Sequence, residues 1–203
     1  MSRIVLATRN PGKVRELASM LRDTGIQVFS LDAFTGAPEV EETGRTFAEN
    51  ALLKALSAAL HTGLVALADD SGLEVDALDG RPGVYSARFA GPDATDEDNN
   101  RKLLALLQGV PAERRTARFR SAVALADPQG RTRVVHGAYE GVILAEPRGT
   151  GGFGYDPLFL SPAHGLTLAE LPLQEKNRIS HRGQALRLAL KELPAFLADG
   201  QGR

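Results

Sequence analysis

Arg3-Ile4-Val5-Leu6-Ala7-Thr8-Arg9-Asn10-Pro11-Gly12-Lys13 holds a short apolar run, a polar turn with a glycine, and the opening of an amphipathic stretch. Residues 3 to 7 read as a buried strand. Asn10 is a strong N-cap residue, and Pro11 fits the first helical position, where a missing N–H is no loss. Val14, Leu17, Ala18 and Leu21 then recur at the spacing of one helical face, and Asp23-Thr24-Gly25 closes the helix. A strand that turns at once into a helix is the repeating unit of an α/β fold.

Outward from there, residues 26 to 31 alternate as a second strand before an acidic loop over 32 to 43. Thr46-Phe47-Ala48-Glu49 is a capping box that opens a helix carrying Leu52, Leu53, Leu56 and Leu60 and ending at Gly63. Residues 64 to 68 are apolar without a break, which marks a buried strand, and they run straight into Asp69-Asp70-Ser71-Gly72. Residues 95 to 107 predict another capped helix. Residues 117 to 126 and 131 to 144, joined by Asp127-Pro128-Gln129-Gly130, predict an antiparallel hairpin. Residues 158 to 160 read as a strand, and 180 to 193 as a last helix stopped by Pro194. The fold class is therefore α/β: a mixed sheet flanked by helices, with the hairpin extending the sheet or forming a second lobe. No domain boundary stands out.

The 203-residue chain carries 24 Lys+Arg against 25 Asp+Glu, 43% apolar residues and no cysteine. A chain of this length buries roughly 70% of its unfolded surface and needs no covalent staple. Without cysteine there is no disulfide, no thiol nucleophile and no Cys-ligated zinc or iron–sulfur centre, so any metal sits on oxygen or histidine. The net charge of -1 argues against a polyanion-coating surface, and so against a nucleic-acid partner, but leaves room for a local cationic pocket. The first residues lack a secretory layout, and no apolar run reaches the ~20 residues that span a bilayer. A cytoplasmic protein with no membrane partner is the expectation.

Five constellations carry chemistry. The loop Thr8-Arg9-Asn10-Pro11-Gly12-Lys13 is either a strand-to-helix turn capped by Asn10 or an anion site, with free N–H groups, the helix dipole and Lys13 facing the anion. Asp69-Asp70-Ser71-Gly72 is either a solvated turn or a magnesium site; if the strand persists, only one aspartate looks into a cleft while the other faces supporting structure. The acidic run at 39–44 is a solvated stretch or the source of a further carboxylate, and Glu49 is the return half of its capping box. Gly149-Thr150-Gly151-Gly152-Phe153-Gly154-Tyr155-Asp156-Pro157 matches the spacing of a dinucleotide fingerprint but opens no helix. It reads as a bend with buried aromatics or as a close-approach loop, with Phe153 and Tyr155 offering ring faces to a base and Asp156 an acceptor. Lys176 with Ser180-His181-Arg182-Gly183 gives three cations around the start of the last helix, fit to neutralise phosphate or donate to a base carbonyl.

Together with Glu42-Thr43-Gly44, Thr46 to Ala51 and Pro82-Gly83-Val84-Tyr85-Ser86-Ala87-Arg88, these motifs follow one family order. Over nearly its whole length the chain resembles the Ham1-type inosine triphosphate pyrophosphatases, enzymes that hydrolyse aberrant purine nucleoside triphosphates. The resemblance implies an elongated mixed α/β structure, one domain over 1–203 with a cleft between two lobes, and a homodimer. It implies Asp70 as catalytic base and magnesium ligand, Glu42 as second ligand, and Asp69 as supporting partner. It implies Thr8 to Lys13 around the triphosphate, Ser71 on the substrate, and Phe153, Gly154, Tyr155, Asp156, Lys176, His181 and Arg182 around the nucleotide. The reaction so implied is water attack at the α-phosphorus of inosine or xanthosine triphosphate, or of their deoxy forms, giving the monophosphate and pyrophosphate. A Maf-type nucleotide pyrophosphatase with another base preference and a non-catalytic nucleotide-binding protein are the alternatives.

Overall fold

The computed structural model describes residues 3–22 and 24–198; the predicted helix stop at Asp23 lies outside them. The chain runs β1 (Arg3–Leu6), α1 (Pro11–Leu21), β2 (Gln27–Ser30), α2 (Phe47–Thr62), β3 (Val65–Val75), α3 (Asp96–Leu106), β4 (Thr116–Ala126), β5 (Thr132–Ile143), β6 (Phe159–Ser161), β7 (Leu166–Thr167), α4 (Leu173–Ile179) and α5 (His181–Ala198). The sheet order is β2-β1-β3-β4-β5-β6-β7. β1 pairs in parallel with β2 and β3, while β5–β6 and β6–β7 are antiparallel, so the sheet is mixed as expected. The β4–β5 turn closes where Asp127 N donates to Arg131 O at 3.1 Å, and Ile143 N donates to Arg115 O at 2.9 Å in the same hairpin register.

The chain divides into two compact units, one of residues 1–70, 121–137 and 182–203 and the other of 71–120 and 138–181. No linker marks the division, because three of its crossings fall inside β3, β4 and β5; a composition scan has nothing to detect there.

In the first unit, strand alternation sorts side chains by size. Ile4, Leu6, Leu67, Val123 and Leu125 share one core with Leu17 and Leu21 of α1 and Leu186, Ala189, Leu193 and Phe196 of α5. Val5, Ala7, Ala66, Ala68, Ala122, Ala124 and Ala126 meet Ala51, Ala55, Ala58 and Ala59 of α2. The buried face of α2 is thus an alanine face. Its predicted leucines flank this core and do not fill it: Leu52 and Leu56 are half-buried against its edge, and Leu60 is 67% exposed. On α1, Ala18 turns to solvent and Glu16 is buried in its place. α5 also departs from expectation, passing through Pro194 to Ala198. Proline there removes one backbone donor, but Leu193 and Phe196 stay on the buried face and Arg131 holds the far end, donating to Phe196 O at 3.1 Å.

The second unit packs Leu73 and Val75 of β3, Ala117 and Phe119 of β4, Ile143, Leu158, Phe159 and Leu168 against Leu103 and Leu107 at the end of α3. Thr95 caps α3 with the reciprocal bond to Asp98 predicted for it. Among the described residues no helix is long and apolar enough to cross a membrane.

Candidate active site

The element that organises the first unit's polar groups is β3, and it is longer than the sequence suggests. Asp-Ser-Gly is turn-forming, yet the strand runs through it to Val75, leaving Asp69 and Asp70 in its interior, 0% and 5% exposed. Consecutive strand residues face opposite ways. Asp69 therefore follows Leu67 onto the face covered by α1 and α5, and Asp70 follows Ala68 onto the face covered by α2.

Asp69 is surrounded by donors. Lys13 Nζ lies 2.8 Å from Oδ2, Arg182 Nε donates to Oδ2 at 3.2 Å, and Ser121 Oγ donates to Oδ1. Burial alone would raise its pKa, but the Lys13 and Arg182 charges outweigh it and hold the carboxyl well below the usual range. Arg182 also donates to Glu16. Burial opposes the guanidinium charge, and the two carboxylates more than offset it, raising the pKa. The Arg182 side chain, expected to meet phosphate or base, is thus an internal counter-ion to Asp69 and Glu16.

Asp70 meets a different set. Its Oδ1 accepts from Lys54 Nζ at 2.9 Å and its Oδ2 from Asn50 Nδ2 at 3.2 Å. The same ammonium donates to Glu42 Oε1 at 2.7 Å. Burial pushes the Asp70 carboxyl up; Lys54 and Lys13 pull it back and Glu42 pushes it further, for a net rise. Burial also works against the Lys54 charge, but Asp70 and Glu42 reverse the sign and raise its pKa. Sequence reasoning passed over Lys54 and Asn50. The available signal was their four-residue spacing behind the Thr46–Glu49 capping box, which sets both on one face of α2. Glu49 does what was expected of it, accepting from Arg45 N and Thr46 N at 2.6 and 3.2 Å.

At the α1 N-terminus, Asn10 Oδ1 accepts from Gly12 N and Lys13 N at 2.9 and 3.1 Å, and Thr8 Oγ1 accepts from Asn10 N at 3.2 Å. The N–H groups of Gly12 and Lys13, expected to face an anion, are engaged by the cap. What this turn offers an anion is the helix-end field, with Pro11 in the first position, and the Lys13 ammonium. Arg9 donates to Ala37 O at 2.8 Å.

In the second unit, Asp156 Oδ2 accepts from Phe153 N at 2.8 Å and from Lys176 Nζ, which also sits 4.9 Å from the Phe153 ring centroid. Asp156 and Lys176 are buried. Gly152, at φ +71°, lies so close that a Cβ would overlap Asp156 Oδ2. Gly154 N donates to Asp96 Oδ2 at 2.7 Å. Tyr155 is a core residue whose hydroxyl donates to Ser86 O at 2.8 Å, so its ring packs inward where a base-facing ring was expected. His181, also buried, stacks its ring on Phe119 at 4.7 Å and 11°. Ser71 is half-buried on β3.

For a metal, the donor chemistry fits on the α2 face of β3. Glu42 and Asp70 converge on one cationic centre, and carboxylate oxygens suit a hard ion. Among the described residues no three His, Asp or Glu side chains cluster closely enough to hold a metal by themselves. Two carboxylates would supply part of an oxygen-ligated metal's shell, leaving the remaining positions to water and substrate phosphates.

A mixed α/β sheet in which an interior strand carries one aspartate enclosed by cations and, next to it, one beside a second carboxylate is suited to chemistry on phosphates. The chain belongs to the Ham1 family, whose model matches residues 4–192. It is 60% identical over 191 residues to the dITP/XTP pyrophosphatase of Desulforamulus reducens, covering 94% of this chain and 95% of the relative. It is 56% identical to that of Shigella flexneri, covering 95% and 98%. The solved structure of a HAM1 protein from Coxiella burnetii superposes with TM-score 0.86 at 47% identity, covering 96% of this chain and all of that one.

Proposed function

We propose that this chain hydrolyses deaminated purine nucleoside triphosphates, those of inosine and xanthosine and their deoxy forms, to the monophosphate and pyrophosphate. The observation that carries the reading is the convergence of Glu42 and Asp70 on the Lys54 ammonium at 2.7 and 2.9 Å, on the opposite face of β3 from the locked Asp69. The relatives' dITP/XTP pyrophosphatase names support the substrate class.

Glu42 and Asp70 would hold magnesium, which when bound screens phosphate charge and makes water a better nucleophile. Asp70, turned towards α2 while Asp69 is enclosed by Lys13 and Arg182, takes the proton of the attacking water. The new bond joins water oxygen to the α-phosphorus, the bond from the α-phosphorus to its bridging oxygen breaks, and pyrophosphate leaves. Lys13, at the head of α1, and Lys54 meet the triphosphate charge, with Ser71 on the substrate. Phe153, Asp156 and Lys176 serve the base. A 6-oxo purine presents an acceptor at O6 and a donor at N1, the complement of an ammonium beside a carboxylate. Adenine reverses both, setting an amino donor against the Lys176 ammonium and a ring acceptor against the Asp156 carboxylate, and is disfavoured.

The chain acts as one domain, a reading supported by three strands that run through both units. It forms a homodimer in the cytoplasm, for which the exposed Leu53 and Leu60 on α2 offer an apolar surface. The deciding experiment is product analysis on inosine triphosphate with and without magnesium, beside xanthosine, guanosine and thymidine triphosphates. Monophosphate and pyrophosphate, formed only with magnesium and lost in Asp70→Asn, are expected. Inosine diphosphate with free phosphate, or a preference for thymidine, would sink the assignment.

A further inference from the structure

Asn50 is fully buried, and both ends of its amide are used. Its Oδ1 accepts from Gly44 N at 2.8 Å, and its Nδ2 donates to Asp70 Oδ2 at 3.2 Å. The amide can face only one way. Turned over, it would set NH₂ against the Gly44 N–H and oxygen against a carboxylate, losing both bonds. Gly44 lies two residues beyond Glu42. It approaches so closely that a Cβ would stand 2.6 Å from Asn50 Oδ1 and 2.7 Å from Glu49 Cβ, so only glycine fits without displacing the amide. One turn further along α2, Lys54 donates to the other oxygen of Asp70, Oδ1, and to Glu42.

We propose that Asn50 is a positioning residue for the reaction: by tying Asp70 Oδ2 to the backbone of the Glu42–Gly44 segment, it fixes the orientation of the Asp70 carboxylate, with Oδ1 turned to Lys54, and sets the spacing of the two carboxylates. A carboxyl group bound at one oxygen only can rotate about its last torsion and exchange its oxygens. Bound at both by separate donors of one helix, it cannot. The same amide anchors the segment that carries Glu42, so one side chain fixes both members of the pair. The proposal rests on Asp70 acting as base beside Glu42.

The test compares wild type with Asn50→Ala, Asn50→Asp and Gly44→Ala in steady-state hydrolysis of dITP, together with calorimetric titration of magnesium into the nucleotide-free proteins. Misplacing a reacting group by an ångström costs about 10²-fold. Asn50→Ala and Gly44→Ala should therefore lose about 10²-fold in kcat, with KM within about threefold, because the placement of the base is disturbed while the groups that bind substrate are untouched. Magnesium affinity of Asn50→Ala should fall by about tenfold or more. Asn50→Asp keeps an acceptor for Gly44 N but sets a carboxylate against Asp70. It should bind magnesium at least as well as wild type and still lose turnover, separating placement from charge. A folded Asn50→Ala with kcat within about twofold of wild type, or an effect on KM alone, overturns the proposal. If Asn50→Ala does not fold, Gly44→Ala decides by the same criterion. Failure of the wild type itself to hydrolyse dITP would instead defeat the proposed function.

Discussion

Replacing Lys54 with methionine keeps a flexible chain of similar length and removes its charge. The ammonium holds Glu42 Oε1 at 2.7 Å and Asp70 Oδ1 at 2.9 Å, and the side chain is only 14% exposed. Deleting one partner of a buried pair costs about 3–5 kcal/mol; the partial exposure of Lys54 and Glu42 admits some water, which brings the expected loss to about 2–4 kcal/mol. At ~2–4 °C per kcal/mol for a domain of this size, the Tm should fall by roughly 4–16 °C at neutral pH. The pH dependence has a definite sign. Burial first, and Glu42 beside it, raise the folded-state pKa of Asp70 against the pull of Lys54 and Lys13, and losing Lys54 raises it further. A raised carboxyl contributes stability below its unfolded pKa and loses it as pH rises through the folded value. The deficit of Lys54→Met should therefore be smallest in acid and grow towards neutrality. Magnesium should raise the variant's Tm more than the wild type's, since a divalent ion restores a positive charge between the carboxylates. Thermal melts across pH, with and without magnesium and without nucleotide, measure all of this. A variant within about 2 °C of wild type at neutral pH, or a deficit that widens on acidification, would refute the bridge.

Asp69→Asn leaves Lys13 and Arg182 without their shared carboxylate and should lose about 3–5 kcal/mol in urea unfolding. Because Asp69's folded pKa is depressed, its contribution is present above the ordinary carboxylate range and is lost as pH falls through that low value, so the gap to wild type should close in strong acid. Gly152→Ala drives a methyl into Asp156 and weakens its hold on Lys176. At ~1.5–3 kcal/mol per charged hydrogen bond, KM for dITP should rise about tenfold or more, and an unchanged KM would detach this pair from the base. Arg115 donates to Val110 O, Leu107 O and Leu144 O at 2.9, 3.0 and 3.4 Å, clamping the end of α3 to the end of β5. Arg115→Met should cost about 2–4 kcal/mol in the same unfolding assay with kcat unaffected, and a loss under 1 kcal/mol would show that water replaces the clamp.

What the sequence made legible was local. Asn10, Thr46 and Thr95 announce their helices because a cap is satisfied within three residues, and each makes the bond expected of it. The aspartate pair was visible as a pair, and alternation along a strand already assigned its members to opposite faces. The length of β3 was not visible: what lets Asp-Ser-Gly remain in a strand is supplied by side chains from elsewhere, Arg182 being 113 residues away from Asp69. For the same reason Arg182 reads as an available cation until Glu16 and Asp69 are seen to enclose it. Lys54 escaped because nothing in a leucine-rich helix reveals that its alanine face is the buried one, which turns Asn50 and Lys54 towards β3.

The parity of β3 also bears on how such a gene can change. Asp69 and Asp70 are the same amino acid, yet they are not interchangeable, because one is enclosed by fixed cations and the other faces α2. A loop absorbs an inserted codon by bulging. In the interior of β3 a single insertion or deletion would move every following side chain to the opposite face of the sheet, sending Asp70 towards Arg182 and its neighbour towards Lys54. Such a lineage would keep the composition and the motif letters while losing the assignment of the two carboxylates. Only paired changes that restore an even count could return it.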